Sequence, residues 1–400
     1  MEISLEQAVG LMTAAVKPVE ETDLIGIEQG LGRILATDLR AGYPQPPFDR
    51  SPLDGYALKA ADTLSAARSH PVMLKVIDKV MAGSVSDKTM AAGTAVRIMT
   101  GAPIPEGADC VIRQEDTDYG EDIVSVFREL KVHDNICDKG EDYPAGAVLA
   151  KKGEKIDAAL WGIIAGAGIG SVSVYRRVKT PPPTPGDEAL EPGADRVAGK
   201  IYNSNRYLVH GRLEELGFTP VWMEHVQDDA AEAAEAVKRA AAAADLVITT
   251  GGVSVGQKDV MHEAAERLGS EEIFWRVAMK PGSPVMAYRY RGSLVIGLSG
   301  NPFGAFVNME MLVRPLLAYM SRDRGILPEE TEAVLKGSFP KSSPVRRLIR
   351  GVYCRGVVKI PESGHSSGML ASMKGCNCLV DIPGGSGALT DQATVAVRMI

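Results

Sequence analysis

Aromatic side chains are scarce: Phe, Tyr and Trp together make up 5% of the 400 residues. The cores must therefore rest on Val, Ile, Leu, Ala and Met. Basic charge is not in excess either. The net charge of -7 excludes the broad basic face that a nucleic-acid binder needs, but not a local pocket for a small anion. No stretch approaches the roughly 18 apolar residues that span a bilayer. The start, Met1-Glu2-Ile3-Ser4-Leu5-Glu6, lacks the basic and then apolar pattern of a signal peptide. A cytoplasmic protein without membrane or nucleic-acid partners is expected. Cysteines are few and odd in number: Cys110, Cys137, Cys354, Cys376 and Cys378. They fit reduced thiols better than a disulfide framework. Cys376-Asn377-Cys378 is too tight for a usual zinc pair and has no matching second pair. The six histidines show no ligand spacing such as His-Glu-x-x-His, and no Ser-His-Asp or Cys-His grouping stands out.

A chain of 400 residues exceeds one ordinary domain and suggests two to four. Residues 4–17 carry apolar positions at helical spacing, with Ser4 as N-cap and Glu6 and Gln7 in the first turn. A second helix-like piece follows near 27–36. Residues 41–141 hold short alternating runs, such as 72–76, 95–98, 110–112 and 123–126, between turn-rich segments; a small β-rich domain is expected. From about 155 to 320 the pattern becomes strand and helix in alternation. Helices are expected at 204–216, 229–244, 258–268 and 303–320, and strands at 219–225, 245–250 and 294–298. Such alternation predicts a parallel α/β sheet. The last 70 or so residues return to short strands and Gly/Pro/Ser turns.

Several stretches carry chemistry. The apolar run from Asp245 to Thr250 leads directly into Gly251-Gly252-Val253-Ser254-Val255-Gly256, and a helix follows. This order turns backbone N–H groups toward an anion, and it also describes a tight strand-to-helix turn. It is neither a Walker A motif nor Gly-x-Gly-x-x-Gly. Lys280-Pro281-Gly282-Ser283-Pro284 places a lysine before a fixed turn. Ser299-Gly300-Asn301-Pro302 again follows a strand. Three strand-end turns of one α/β domain are expected to line one crevice. Asp54-Gly55, the Thr100-Gly101 turn, and Gly186-Asp187-Glu188 add carboxylates and hydroxyls. Paired acids suit Mg²⁺, although acids on a turn are more often just solvated.

In this order, Phe48–Ala57, Arg97–Asp109, Gly140–Asp142, Gly186–Glu188, Tyr202–Asn205, Thr249–Asp259, Lys280–Pro284, Gly297–Pro302 and His365–Gly368 closely resemble the molybdopterin molybdenumtransferase family, MoeA in bacteria and the E domain of gephyrin in animals. The resemblance covers nearly the whole chain. It implies a multidomain α/β fold and an elongated subunit. A linker domain would comprise 22–40 and 142–170, and a β-rich domain 41–141. A central three-layer α/β domain of the pterin-binding type would take 1–21 and 171–320, and a C-terminal β-barrel 321–400. It implies a homodimer whose cleft is shared between subunits, with other cofactor-synthesis proteins as further partners. The implied reaction takes adenylylated molybdopterin and molybdate or tungstate, uses Mg²⁺, and releases AMP. By resemblance, the catalytic set is Asp54, Thr100, Glu188, Asp259 and Lys280. Pterin, phosphate and oxyanion contacts fall to Thr250, Gly251, Gly252, Val253, Ser254, Gly256, Pro281, Gly282, Ser299, Gly300, Asn301, Pro302, Arg350 and Ser367. The metal acids are Glu188, Asp228 and Asp259.

The chain departs from the family pattern in places. Pro181, Pro182, Pro183 and Pro185 precede Glu188 where an apolar strand is usual, and prolines cannot occupy a central strand. Ser283 replaces a second lysine and Gln257 an acid, and Ser299 opens a turn usually begun by proline. Rival readings are a paralogue that handles tungstate or another pterin step, and a catalytically weak molybdopterin-binding carrier or scaffold.

Overall fold

The computed structural model describes residues 2–180, 189–218, 229–253, 260–361 and 365–400. The chain divides into two compact units, Leu24–Ser173, and Met1–Asp23 with Val174–Ile400. The first unit is built on a five-stranded sheet in the order Cys110–Arg113, Gly55–Leu58, Thr94–Ile98, Ala67–Val80, Ile123–Arg128. Tyr56, Leu58, Leu74, Ile98 and Ile112 fill its core. Gly55 is required where it stands: a Cβ there would lie 1.8 Å from the Ile112 carbonyl oxygen. All four expected runs lie in these strands.

Two local expectations in this unit differ. The helix-like piece at 27–36 is only a 3-10 turn, Ile27–Gln29. Beyond it the backbone serves other partners: Gly32 N–H donates to Ile156 O and Leu35 N–H to Glu154 O. Conversely, Ala158–Gly166 is a helix that no amphipathic stripe announced. Its sequence is apolar or glycine throughout, so periodicity has nothing to contrast. Asp157 caps it by accepting from Leu160 N–H.

The second unit holds a four-stranded sheet in the order Leu246–Thr250, Ser293–Leu298, Met286–Tyr290, Glu271–Trp275. Only the first pair is parallel; the other two are antiparallel. The all-parallel expectation fails because two residues, Arg291 and Gly292, both at positive φ, join Met286–Tyr290 to Ser293–Leu298. So short a turn can connect only antiparallel strands. Alternation sends Leu246, Ile248, Leu294 and Ile296 into one core, and Val247, Val295, Met286 and Tyr288 into the other. Helices Leu5–Ala15, Ser204–Glu215 and Pro302–Asn308 cover the first face; Ala230–Ala241 and Val260–Arg267 cover the second. Three layers result. Ser4 and Gln7 form a reciprocal capping box on the first helix. Asn203 caps the start of Ser204–Glu215 and Asp229 that of Ala230–Ala241. The strand expected at 219–225 lies outside the described residues.

The helix expected at 303–320 is interrupted by a π-turn, Met309–Val313. Pro315 follows after Arg314 and has no N–H to return to the preceding turn. The π-turn carries Glu310, a buried carboxylate that accepts from Arg212 Nε at 2.5 Å and Arg314 Nη1 at 2.6 Å.

The C-terminal strands Arg346–Cys354, Val357–Lys359, Glu330–Lys336, Thr394–Met399 and Cys378–Ile382 close into a small barrel, since the last pairs back to the first. Met279–Lys280 adds to it in parallel, with Met279 opposite Arg346 and Lys280 opposite Arg347. The barrel is also tied down by charge. Buried Asp381 accepts from Arg346 Nε at 2.7 Å and from Arg398 Nε at 2.9 Å. Burial alone would raise the Asp381 carboxyl, but the two guanidinium contacts outweigh it and hold it below the usual aspartate value. A depressed carboxyl stabilises the fold above its unfolded value and loses that contribution as pH falls through the folded one. Asp381→Asn should therefore lower stability at pH 7 by about 3 kcal/mol. The gap to wild type should persist down to about pH 4 and shrink below it. Denaturant midpoints of both proteins across that range check this; a gap that stays constant into strong acid would remove Asp381 as the cause.

Candidate functional site

The site begins where Met279–Lys280 ends. Gly282 follows at φ +90°, a conformation that suits glycine. Across from it, strand Ser293–Leu298 ends at Ser299, and helix Pro302–Asn308 starts with Pro302 in its first turn. One buried side chain holds the two turns together. Asn308 Nδ2 donates to Gly282 O at 2.8 Å, and Asn308 Oδ1 accepts from Ser299 N–H at 3.0 Å. The fit leaves no slack: a Cβ on Gly282 would come 2.6 Å from Asn308 Nδ2, and one on Gly304 2.7 Å from Ser299 Oγ.

The bracketed turns form one wall of a cleft of ≈ 320 Å³, and the barrel forms the other. Lys280, Pro281, Gly282, Ser299 and Asn301 line it from the α/β side; Arg347, Arg350, His365 and Ser367 line it from the barrel side. Among the described residues the lining carries three permanent cations and no carboxylate. Arg350 is 1% exposed. It is held by backbone rather than by an acid: Nη1 donates to Met369 O at 2.6 Å and Nη2 to Ser366 O at 2.8 Å. Its guanidinium carbon sits 3.7 Å from the Phe303 ring centroid. Nε has no partner among the described residues. Burial without a counter-charge pulls Arg350 below the usual arginine value. His365 is also held down, by burial and then by Arg350, Lys341 and Arg347. The cleft is thus a positive, partly apolar pocket with hydroxyl and amide donors, an environment that strengthens charge-assisted contacts to a small oxyanion.

The described part of the third expected turn, Gly251–Val253, is not among the described residues lining this cleft but adjoins it. Gly251 and Gly252 are both at positive φ, +81° and +68°. Gly251 N–H donates to Leu298 O at 3.1 Å, and Asn205 Nδ2 donates to Gly300 O at 2.8 Å. Thr250 is buried at the strand end. Val253 is core, 2% exposed, so its side chain packs inward and leaves only its backbone for a ligand. The expectation that Lys280–Pro284 ends a strand of the α/β sheet is corrected: Met279–Lys280 belongs to the barrel sheet. Glu188, Asp228, Ser254, Gly256 and Asp259, with the proline run 181–185, lie outside the described residues. In the other unit, Asp54 Oδ1 accepts from both the N–H and the hydroxyl of Thr100, each at 2.8 Å. Those two bonds hold the Asp54 carboxyl below the usual aspartate value.

Similarity to known proteins agrees with this geometry. The chain is 37% identical over 387 residues to a molybdopterin molybdenumtransferase from Bacillus subtilis, spanning 95% of this chain and 90% of that one. The chain belongs to the molybdopterin molybdenumtransferase family. A protein of the same name from Staphylococcus aureus is 36% identical over 365 residues, spanning 90% of this chain and 87% of that one. Family models match along the chain: the MoeA N-terminal region (domain I and II) over 3–168, the probable molybdopterin binding domain over 184–319, and the MoeA C-terminal region (domain IV) over 332–397. A crystal structure of a molybdopterin biosynthesis MoeA protein from Pyrococcus horikosii superposes with a TM-score of 0.85 at 29% identity, covering 100% of this chain and 99% of that one. The MoeA architecture, a three-layer α/β domain with a β-rich region and a closing barrel, is the one described above.

For this MoeA-family chain, sequence reasoning missed Asn308, Arg347, Phe303 and Phe339 in and around the cleft. A signal existed for Arg347 in the run Arg346-Arg347-Leu348-Ile349-Arg350, three cations on a β-barrel strand. None existed for Asn308, a polar residue in an otherwise apolar helix. Asn308→Leu keeps the volume and removes both hydrogen bonds. It should cost about 1–3 kcal/mol for each buried group left unpaired and lower the unfolding temperature by several degrees. Thermal unfolding checks it; an unchanged transition would mean that the turns hold themselves.

Proposed function

We propose that this chain transfers molybdenum from molybdate to adenylylated molybdopterin, with Mg²⁺, and releases AMP. Its place as a transferase of molybdenum cofactor biosynthesis follows from family membership. The cleft supports the finer reading: Lys280, Arg347 and Arg350 face it with no carboxylate among the described lining residues, which suits a tetrahedral dianion. In the proposed chemistry two Mo–S bonds form to the dithiolene, and one molybdate oxygen leaves as water with the two thiol protons. A water molecule breaks the phosphoric anhydride, and AMP departs. The metal keeps its oxidation state throughout. Lys280, Arg350, Ser367 and Ser299 would hold the oxyanion. Backbone N–H groups of Thr250–Ser254 would lie against the pterin phosphates. Asp54 and Thr100 would reach the cleft from a partner subunit.

Carboxylate oxygens are the donors that Mg²⁺ takes, and we assign it to Glu188, Asp228 and Asp259. Bound there, it would neutralise charge developing on the phosphates. Those three acids lie outside the described residues, and among the described residues no cluster of three or more His, Cys, Asp or Glu occurs.

The decisive assay incubates the protein with adenylylated molybdopterin, Mg²⁺ and either molybdate or tungstate, and follows AMP. Lys280→Ala should raise the half-saturating molybdate concentration about tenfold to a hundredfold, the value of one charge-assisted contact, and leave pterin affinity unchanged. An unchanged half-saturation would make Lys280 a solvated surface lysine.

A shared cleft requires a homodimer, and mixed dimers test it. Each single variant, Asp54→Ala or Glu188→Ala, should be inactive. The mixed dimer should regain about half of wild-type activity, because one of its two clefts then carries both native residues. No recovery in verified mixed dimers would exclude the shared arrangement.

A further inference from the structure

Lys280 and Arg347 are register partners on parallel strands. Side chains at paired positions project to the same face, and both line the cleft. Like charges at paired positions repel, and neither residue forms an ion pair with any described residue. Arg347 is nevertheless held in place. Its Nε donates to Ser343 Oγ at 3.0 Å, and its guanidinium carbon lies 5.4 Å from the Phe339 ring centroid. Those contacts occupy Nε and one face of the guanidinium. Its two terminal nitrogens make no hydrogen bond to a described residue. The neighbouring turn offers no second cation: Ser283 is neutral, and its hydroxyl donates to Glu2 Oε1 at 3.3 Å.

We infer that Arg347 is a further binding contact of the oxyanion cleft, supplying from the barrel the second cleft-lining cation that Ser283 leaves out of the turn. The inference rests on the oxyanion reading of the cleft. A dianion beside Lys280 and Arg347 relieves their repulsion, and the guanidinium offers it a two-pronged donor that a lysine cannot. Arg350, deeper and already bonded to Ser366 and Met369 carbonyls, supplies field from behind. His365 on the same wall is held down by burial first, and then by Arg350, Lys341 and Arg347.

Equilibrium dialysis with labelled inorganic molybdate, together with the molybdate dependence of AMP release, tests this. Arg347→Ala should weaken molybdate binding about tenfold to a hundredfold and leave the half-saturating concentration of adenylylated molybdopterin unchanged. Arg347→Lys should fall between, keeping the charge and losing the fork. Ser283→Lys placed in the Arg347→Ala background should restore part of the affinity. Thermal unfolding verifies each variant, and Arg347→Gln, which keeps a long side chain over Phe339, replaces Arg347→Ala if that variant does not fold. Equal losses for molybdate and pterin would show a structural role and overturn the inference. If Lys280→Ala weakens molybdate and folded Arg347 variants do not, Arg347 is excluded while the cleft stands. If neither matters, the oxyanion reading itself falls.

Discussion

Two residues, Met279 and Lys280, leave the α/β layers and join the barrel as an extra strand, and the cleft depends on that step. The pairing sets Lys280 beside Arg347 and brings the Lys280–Pro284 turn against the barrel wall. Without it, the three cations of the cleft would belong to two separate surfaces, each solvated and each weak in water. With it, they face one volume of ≈ 320 Å³ whose described lining holds no acid. An exposed salt bridge could not perform this function, because a paired acid would cancel the field that an incoming anion uses.

Positions that bear charge in this unit are held by buried polar groups rather than by apolar packing alone. The Asn308 carboxamide joins the Gly282 and Ser299 turns. Glu310, in the π-turn, joins helix Ser204–Glu215 to helix Arg314–Ser321 through Arg212 and Arg314. Asp381 ties two barrel strands through Arg346 and Arg398. Each buried carboxylate here is met by two guanidinium groups, the condition under which burial of charge is tolerated. Arg350 is a buried cation of another kind, set among carbonyls, a hydroxyl and an aromatic face with no acid among the described residues. That uncompensated charge marks the cleft as a place for an anion better than any exposed lysine does.

Much of this was legible in the order of residues. The helices Leu5–Ala15, Ser204–Glu215 and Ala230–Ala241 were expected because the spacing of apolar positions is local and does not need the rest of the chain, and at Ser4 the cap was legible too. The β-rich region was expected from alternation and turns. The Gly-rich loop, the Lys280 turn and the Asn301-Pro302 turn were visible as strand ends, and Lys280, Arg350 and Ser367 do meet in one cleft. The helix Ala158–Gly166 was not visible, because a segment apolar on every side has no period to detect. The apparent helix at 27–36 gave way to long-range backbone pairing with residues 154–156 and 173.

By itself, the sequence determined the family, the local elements and the residue types available for an oxyanion. These follow from neighbours within a few positions or from motif order. Tertiary structure alone decided which sheet the Lys280 strand joins, that the α/β sheet is mixed, and that Arg347 stands beside Lys280. Sixty-seven residues separate that pair, and strand pairing is chosen by total burial and hydrogen bonding over the whole unit. No window of sequence contains that sum. The same holds for Asn308, whose worth lies in two backbone groups, Gly282 O and Ser299 N–H, that only the folded chain brings within reach of one amide.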